Sequence, residues 1–190
     1  MENFIKTKCS EVSDVFQNVA NQSCIKTFHY NIEISKLNPD YSTKINITEQ
    51  GDFVNMFKEL RNKKYADLPA IYIFKINSDI NSNTIINAID SISSNELNVP
   101  AHYKYPKNNG ILYVGKVKRC AWGRLIQHLG YHTDSKSHGL QIQHWANKIS
   151  EPLNLTYTVM FFEKEISDYL EVIESAIAKT TIYKPIIGKH

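Results

Sequence analysis

Apolar residues recur along the chain in two kinds of pattern. Spacings of three, four and seven residues are typical of amphipathic helices, whereas alternation or a short unbroken apolar run is typical of strands. The patterns predict helices over about 4–19, 53–63, 84–92, 119–129, 140–149 and 166–179. They predict strands over 28–35, 44–48, 70–76, 111–115 and 153–161, with a turn at 38–40 joining the first two. Because strands and helices do not alternate regularly, this order favours an α+β fold over a doubly wound sheet.

Positive charge is concentrated in one part of the chain. The 190 residues carry a net charge of only +3. Residues 102–148 nevertheless hold eight Lys and Arg residues against one acid, Asp134. A concentrated positive segment on a near-neutral chain is typical of proteins that bind polyanions, although a solvated basic face has the same composition. Charge alone therefore leaves both interpretations open.

Length and composition are those of one globular domain, or of one domain with an attachment. No apolar run approaches the roughly 20 residues that a transmembrane helix needs, and no apolar core of a signal peptide is visible near the N-terminus. The three cysteines, Cys9, Cys24 and Cys120, are odd in number and none forms a C-x-x-C pair. We therefore expect a cytoplasmic protein with free thiols and no membrane partner.

Three short motifs follow one another from residue 70 onward. Ala70-Ile71-Tyr72 lies on one predicted strand, and Tyr113-Val114-Gly115 lies on the next. Arg124 and His128 are four residues apart on the helix that follows, so their side chains share one face of that helix. Each motif is weak evidence by itself, but the three occur in order on consecutive predicted elements, namely a strand, a second strand and a helix.

The last predicted helix adds a carboxylate. Its apolar stripe runs along one face, and Glu174 lies at the margin of that stripe, whereas Glu171 points further toward solvent. A ligand must reach inward across the sheet, so Glu174 is the better candidate. Together with the three preceding motifs, this helix resembles the GIY-YIG nuclease family, and the resemblance covers residues 70–190.

The resemblance implies a small, mainly antiparallel, three-stranded central sheet flanked by helices, within a domain spanning 67–190. Ala70 replaces the first glycine of the family motif, and Tyr113 follows Tyr72 by 41 positions, a spacing longer than the family's usual connection. Residues 77–109 are therefore expected to be an insertion. Residues 1–66 have no counterpart in the minimal domain, and we expect them to form an N-terminal α/β extension with a strand pair and helices.

The implied activity is that of a metal-dependent endonuclease, a phosphodiesterase that hydrolyses DNA, duplex or branched, with RNA remaining open. The implied catalytic residues are Tyr72, Tyr113, Lys116, Arg124 and His128. Glu174 is expected to hold one divalent ion, Mg²⁺ or Mn²⁺. The nucleic-acid contacts are expected from Lys116, Lys118, Arg119 and Arg124.

These residue types suit phosphodiester hydrolysis. The planar guanidinium of Arg offers paired, permanently charged donors to a phosphate. Mg²⁺ is often held by one or two carboxylates and keeps several of its waters. A tyrosine phenol has an ordinary pKa of about 10, so it acts as a base only where cations lower that pKa. Lys116 and Arg124 are the candidates for those cations.

A second hypothesis is a nucleic-acid-binding module on the same scaffold, with weak or no catalysis. The acidic residue Glu174 favours the enzyme, because a pure binder does not need an acidic metal ligand. A third hypothesis, a domain that binds no ligand, would leave the basic segment 102–148 without a purpose.

Overall fold

The computed structural model describes residues 1–22, 24–37, 46–92, 100–103, 106–131 and 139–188. Its helices are α1 (Glu2–Gln22), α2 (Phe53–Leu60), α3 (Ser82–Asp90), α4 (Ala121–Leu129), α5 (Ile142–Ala146) and α6 (Leu170–Lys179). Its strands are β1 (Lys26–Glu33), β2 (Ala70–Ile76), β3 (Ile111–Val117) and β4 (Asn154–Phe161). Single 3₁₀ turns occupy Ile34–Lys36, Ile47–Glu49 and Lys164–Ile166.

The four strands form one antiparallel sheet in the order β1-β4-β2-β3. The predicted α+β class is therefore confirmed, but the prediction of three strands was wrong. The additional strand is β1, which pairs with β4 along its whole length, from Lys26 opposite Phe161 to Glu33 opposite Asn154. This pairing makes part of the N-terminal segment an edge of the main sheet.

The strand β2 lies inside the sheet because both of its faces are apolar. Tyr72, Phe74 and Ile76 belong to the main core, which α2, α3, α4 and α5 cover. Ile71 on the opposite face packs with residues of α1 and α6. The continuous apolar run that marks this strand in the sequence is thus explained by helices on both sides of the sheet.

The predicted strand at 44–48 is not present at residues 46–48, which form a 3₁₀ turn instead. The Asn46 side chain accepts hydrogen bonds from the Thr48 N–H at 3.2 Å and the Thr48 hydroxyl at 2.7 Å. Such side-chain capping competes with strand pairing, and β1 pairs with β4 instead. Residues 44 and 45 and the predicted turn at 38–40 lie outside the described residues.

Left-handed backbone conformations set the start or end of two helices near the predicted motifs. Cys120 has a φ of 60°, so α4 begins at Ala121 rather than at residue 119. Gly130 has a φ of 95° and ends α4, as its position in the sequence predicts. Gln141 has a φ of 54°, which delays the start of α5 to Ile142.

The segment 77–109 contributes to the core as well as to the surface. Within it, Asn81 caps α3 by accepting a hydrogen bond from the Asn83 N–H at 2.9 Å. The apolar face of α3 is buried in the main core through Ile85, Ile86, Ala88 and Ile89. The described part of this segment is therefore more than a polar surface loop.

Among the residues that the structure describes, the long helix α1 packs against the rest of the fold through its second half. Val15, Phe16 and Val19 pack against a cluster that includes Phe162 and Ile166. Residues 1–11 are all exposed. No helix in the part of the chain that the structure describes combines the length and apolarity needed to cross a membrane.

We predict that β1 is required for folding and that the first half of α1 is not. A chain that begins at residue 12 should keep a thermal midpoint within about 2 °C of the full chain, because exposed positions contribute little to stability. A chain that begins at residue 34 should lose its cooperative transition, because it removes buried Ile32 and leaves the edge of β4 unpaired. Calorimetry measures both, and cooperative unfolding of the shorter chain at an unchanged temperature would contradict this role of β1.

Candidate active site

Two tyrosines stand side by side on one face of the sheet. Tyr72 on β2 lies directly opposite Gly115 on β3, and Phe74 lies opposite Tyr113. Because Tyr113 and Gly115 are two residues apart, they point to the same face of the sheet. The Tyr72 and Tyr113 ring centres are 6.2 Å apart. The predicted tyrosines therefore meet, even though they are 41 positions apart in the sequence.

Gly115 is a glycine because the two tyrosine rings fill the space above it. A Cβ atom at this position would lie 2.6 Å from Tyr72 Oη and 2.5 Å from Tyr113 Cε1. Neither distance is compatible with van der Waals contact, so any side chain would push the rings away. The glycine of the Tyr-Val-Gly motif is thus a packing requirement of the tyrosine pair.

His128 on α4 is 1% exposed and lies against both tyrosine rings, with ring-centre distances of 5.3 Å to Tyr72 and 5.2 Å to Tyr113. Its Nε2 is 2.8 Å from Tyr72 Oη. Its Nδ1 accepts a hydrogen bond from the Leu140 N–H at 3.1 Å. Since Nδ1 is an acceptor, the neutral ring carries its proton on Nε2 and donates it to Tyr72 Oη.

The imidazole of His128 is neutral. Burial lowers the pKa of His128 well below its ordinary value, and the positive charge of Arg124 lowers it further. A buried imidazole loses the solvation that an imidazolium needs. His128 therefore acts in this site as a hydrogen-bond donor of fixed orientation, since both ring nitrogens already have partners.

Arg124, on the same face of α4 as His128, joins the two tyrosines. Its Nε donates to Tyr72 Oη at 3.4 Å, and its Nη1 donates to Gln127 Oε1 at 2.8 Å. The guanidinium also hydrogen-bonds Tyr113. One arginine is therefore shared by both phenols, and Tyr72 Oη receives donors from both residues of the predicted Arg/His pair.

Both phenols are protonated at neutral pH. Burial raises the pKa of Tyr72, and the neighbouring Tyr113 raises it further, against the opposing effect of Arg124. Burial also raises the pKa of Tyr113, with Glu174 next, against Arg124 and Lys116. The expected lowering of a tyrosine pKa by nearby cations is therefore outweighed by desolvation.

Glu174 on α6 completes the cluster. It is 7% exposed, whereas the side chain of Glu171 is 82% exposed. Lys116 Nζ lies 3.0 Å from Glu174 Oε2 and 3.6 Å from Glu171 Oε2. Glu174 is thus the buried carboxylate and Glu171 the exposed one, as the apolar stripe of the helix predicts.

Glu174 is a mostly buried carboxylate, a group of the kind that can hold a divalent ion. No group of three or more His, Cys, Asp or Glu side chains able to hold a metal ion occurs among the residues that the structure describes. Mg²⁺ can be held by one carboxylate when waters and substrate phosphates supply its other ligands. Lys116 neutralises this carboxylate, so a bound cation has to share or displace the Lys116 contact.

Lys118 and Arg119 lie outside this cluster, in the connection between β3 and α4, and both are exposed. Lys118 Nζ forms an ion pair with Asp168 at 2.7 Å, and both side chains are mostly exposed. Such surface pairs are readily exchanged for other partners. The two residues are therefore placed on an accessible surface next to the site and not among its buried groups.

The backbone of Leu140, which orients His128, has no signature in the sequence. It reaches His128 because Gly139 lets the chain pass close to α4, where a Cβ at position 139 would lie 2.3 Å from the Gln127 carbonyl oxygen. A glycine just before a predicted helix is the only local signal of this approach. Gln127, the second partner of Arg124, follows from its spacing of three residues on α4.

Comparison with known proteins adds no relative. No family model matches the chain, and no curated protein and no solved structure matches it. The function is therefore inferred from the geometry of the site and from the resemblance of its motifs.

We predict that Gly115→Ala destabilises the protein by about 1–3 kcal/mol, as other overpacking substitutions do, because the added methyl displaces both tyrosine rings. For a chain of this length that lowers the thermal midpoint by roughly 2–12 °C. Arg119→Ala, on an exposed residue of the adjoining connection, serves as the control and should not change the midpoint. An unaltered midpoint for Gly115→Ala would show that the rings do not lie over this glycine.

Proposed function

We propose that this protein is a metal-dependent endonuclease of the GIY-YIG type that hydrolyses phosphodiester bonds in DNA. The observation that carries the proposal is that six predicted residues from four elements lie around the edge strand β3. They are Tyr72 on β2, Tyr113 and Lys116 on β3, Arg124 and His128 on α4, and Glu174 on α6. Contacts join Tyr72, Tyr113, Arg124 and His128 into one group. Lys116 and Glu174 form a second group, which lies close enough for the Glu174 charge to act on both phenols.

Arg124 and Lys116 supply the positive charge for a phosphate. Arg124 is half-buried and held by hydrogen bonds to Tyr72 and Gln127, so its planar donors are preorganised for phosphate oxygens. Lys116 keeps about 30% of its side chain exposed, which leaves its ammonium group accessible. Preorganised cations stabilise the charge that develops on phosphorus-bound oxygens in the transition state.

The two tyrosines have different tasks. Tyr72 is buried and its oxygen accepts hydrogen bonds from His128 and Arg124, so it is a positioning residue for the arginine. Tyr113 is only half-buried and lies near Lys116 and Glu174. Tyr113 is therefore the phenol that contacts the substrate, where its hydroxyl orients the attacking water or a phosphate oxygen.

Glu174 is the residue that would hold the divalent cation. A bound Mg²⁺ or Mn²⁺ would act as a Lewis acid that stabilises the leaving oxygen. The carboxylate is mostly buried, and its negative charge adds to the burial that raises the pKa of both phenols. Lys116 holds the carboxylate in place before a cation binds.

The ion pair between Lys116 and Glu174 also supports the second candidate, a binding module with weak or no catalysis. A carboxylate already neutralised at 3.0 Å by a lysine has less need of a metal ion. In that case Arg124 would bind phosphate and the site would not cleave it.

The three cysteines are free, which suits the reducing cytoplasm that we propose for either activity.

A plasmid nicking assay with matched variants tests the proposal. We expect the protein with Mg²⁺ or Mn²⁺ to nick supercoiled DNA and a chelator to stop the reaction. Glu174→Ala should remove the activity by at least about a hundredfold, the scale of losing a group that stabilises transition-state charge, while its thermal unfolding stays cooperative. Glu171→Ala is the control, because its carboxylate is exposed, and it should retain most of the activity.

Two outcomes would contradict the proposal. Cleavage by a well-folded Glu174→Ala protein, with Glu171→Ala inactive, would assign the metal to the other carboxylate. DNA binding without cleavage under every divalent cation would support the binding module instead.

A further inference from the structure

The segment that follows α2 lies beside the connection between β3 and α4. The Cys120 N–H donates to the Ala66 carbonyl oxygen at 2.8 Å. The guanidinium carbon of Arg61 lies 4.5 Å from the centre of the Trp122 ring. The first turn of α4 is therefore in direct contact with a part of the chain that belongs to the N-terminal extension.

Both of these segments carry exposed cations. We call them the α4 basic surface, which consists of Arg61, Lys63, Lys118, Arg119 and Trp122. The four charged residues are all exposed. Among the salt bridges between described residues, Lys118 has one acidic partner, Asp168, and the other three cations have none. The surface therefore carries an excess of positive charge.

Trp122 holds Arg61 in a defined position. The distance of 4.5 Å between the guanidinium carbon and the ring centre is that of a cation–π contact. A guanidinium stacked on an aromatic ring keeps its in-plane N–H donors available to a phosphate. Because the side chain is already ordered, less conformational entropy is lost when it binds.

The α4 basic surface continues the candidate active site across α4. At about 100° per residue, Trp122 and Arg124 lie on opposite flanks of the helix, with Gly123 on the outward side between them. Arg61 and Arg124 therefore stand on either side of the outward face of this helix. A polyanion that reaches Arg124 can extend over α4 to Arg61.

We propose that the α4 basic surface binds the phosphate backbone of duplex DNA next to the bond in the active site, with Arg61 and Lys63 supplied by the N-terminal extension. The inference rests on the proposed function, because it assigns the same substrate to both surfaces. Repeated charges on both flanks of one helix match the regular, dense negative charge of a duplex. The extension thereby takes part in substrate binding as well as in the sheet.

The salt dependence of binding tests this surface in the full chain. Anisotropy of a labelled short DNA duplex, without divalent ions, compares Arg61→Ala/Lys63→Ala with Lys75→Ala/Lys107→Ala. The control removes the same charge from exposed residues at the other end of the sheet. Each lost phosphate contact should reduce the slope of log affinity against log salt by about 0.9. We expect a reduction of about 1.8 for the first variant and none for the control.

Single substitutions at Arg61 separate a charge effect from a structural one. Arg61→Lys keeps the charge and should retain the wild-type slope, whereas Arg61→Gln should lose about 0.9. Equal losses in both variants would show that Arg61 acts only through its packing on Trp122 and would overturn the inference.

The remaining outcomes distinguish this inference from the proposed function. Cleavage of DNA with an unchanged slope for Arg61→Ala/Lys63→Ala would overturn the inference alone. The expected loss of slope in a protein that never cleaves DNA would overturn the proposed function and support the surface. Absence of duplex binding at low salt, or tighter binding of an RNA duplex through the same residues, would overturn the assignment of this surface to DNA.

Discussion

The buried hydrogen bond between His128 Nε2 and Tyr72 Oη, 2.8 Å long, is the contact on which the candidate site depends. It joins α4 to the interior strand β2 and sets which face of α4 turns toward the sheet. The direction of this hydrogen bond is fixed because Nδ1 accepts the Leu140 N–H, so the ring proton lies on Nε2 and is donated to Tyr72. Leaving such a buried group without its partner would cost about 1–3 kcal/mol, so the contact holds the arrangement of both elements.

The position of Arg124 follows from this contact. Because Arg124 is four residues before His128 on α4, fixing the imidazole also places the guanidinium over the phenols. Tyr72 Oη then accepts from both residues. This arrangement removes several polar groups from water, which is unfavourable for charged groups. Burial therefore keeps the imidazole and the phenols in their neutral forms. The charges that remain are those of Arg124 and Lys116, which are half-buried, and that of Glu174, which is buried and paired with Lys116.

Sequence reasoning predicts the parts of this structure that depend on local patterns. The apolar run of β2, the glycine that ends α4 and the margin position of Glu174 each follow from residues close together in the chain. The pairing of β1 with β4 does not, because its partners are separated by more than a hundred residues and many strands could pair with either edge. The Leu140 N–H contact is equally invisible, since any residue except proline offers the same backbone donor.

The contribution of Arg61 is hidden for a different reason. Its basic segment lies in a part of the chain whose acidic and basic residues balance, so a net charge over that part conceals a local excess. Only the fold brings Arg61 onto Trp122, beside the basic connection before α4.

The protonation state of His128 tests the central arrangement most directly. Nitrogen-detected NMR of the imidazole rings, recorded as the pH is lowered from 7.5 to 5, reports both the tautomer and the pKa of each histidine. The structure predicts that His128 carries its proton on Nε2 and stays neutral well below the ordinary histidine pKa of about 6.5. Protonation of His128 near pH 6.5, or a proton on Nδ1, would contradict the buried contact with Tyr72 and the site built on it.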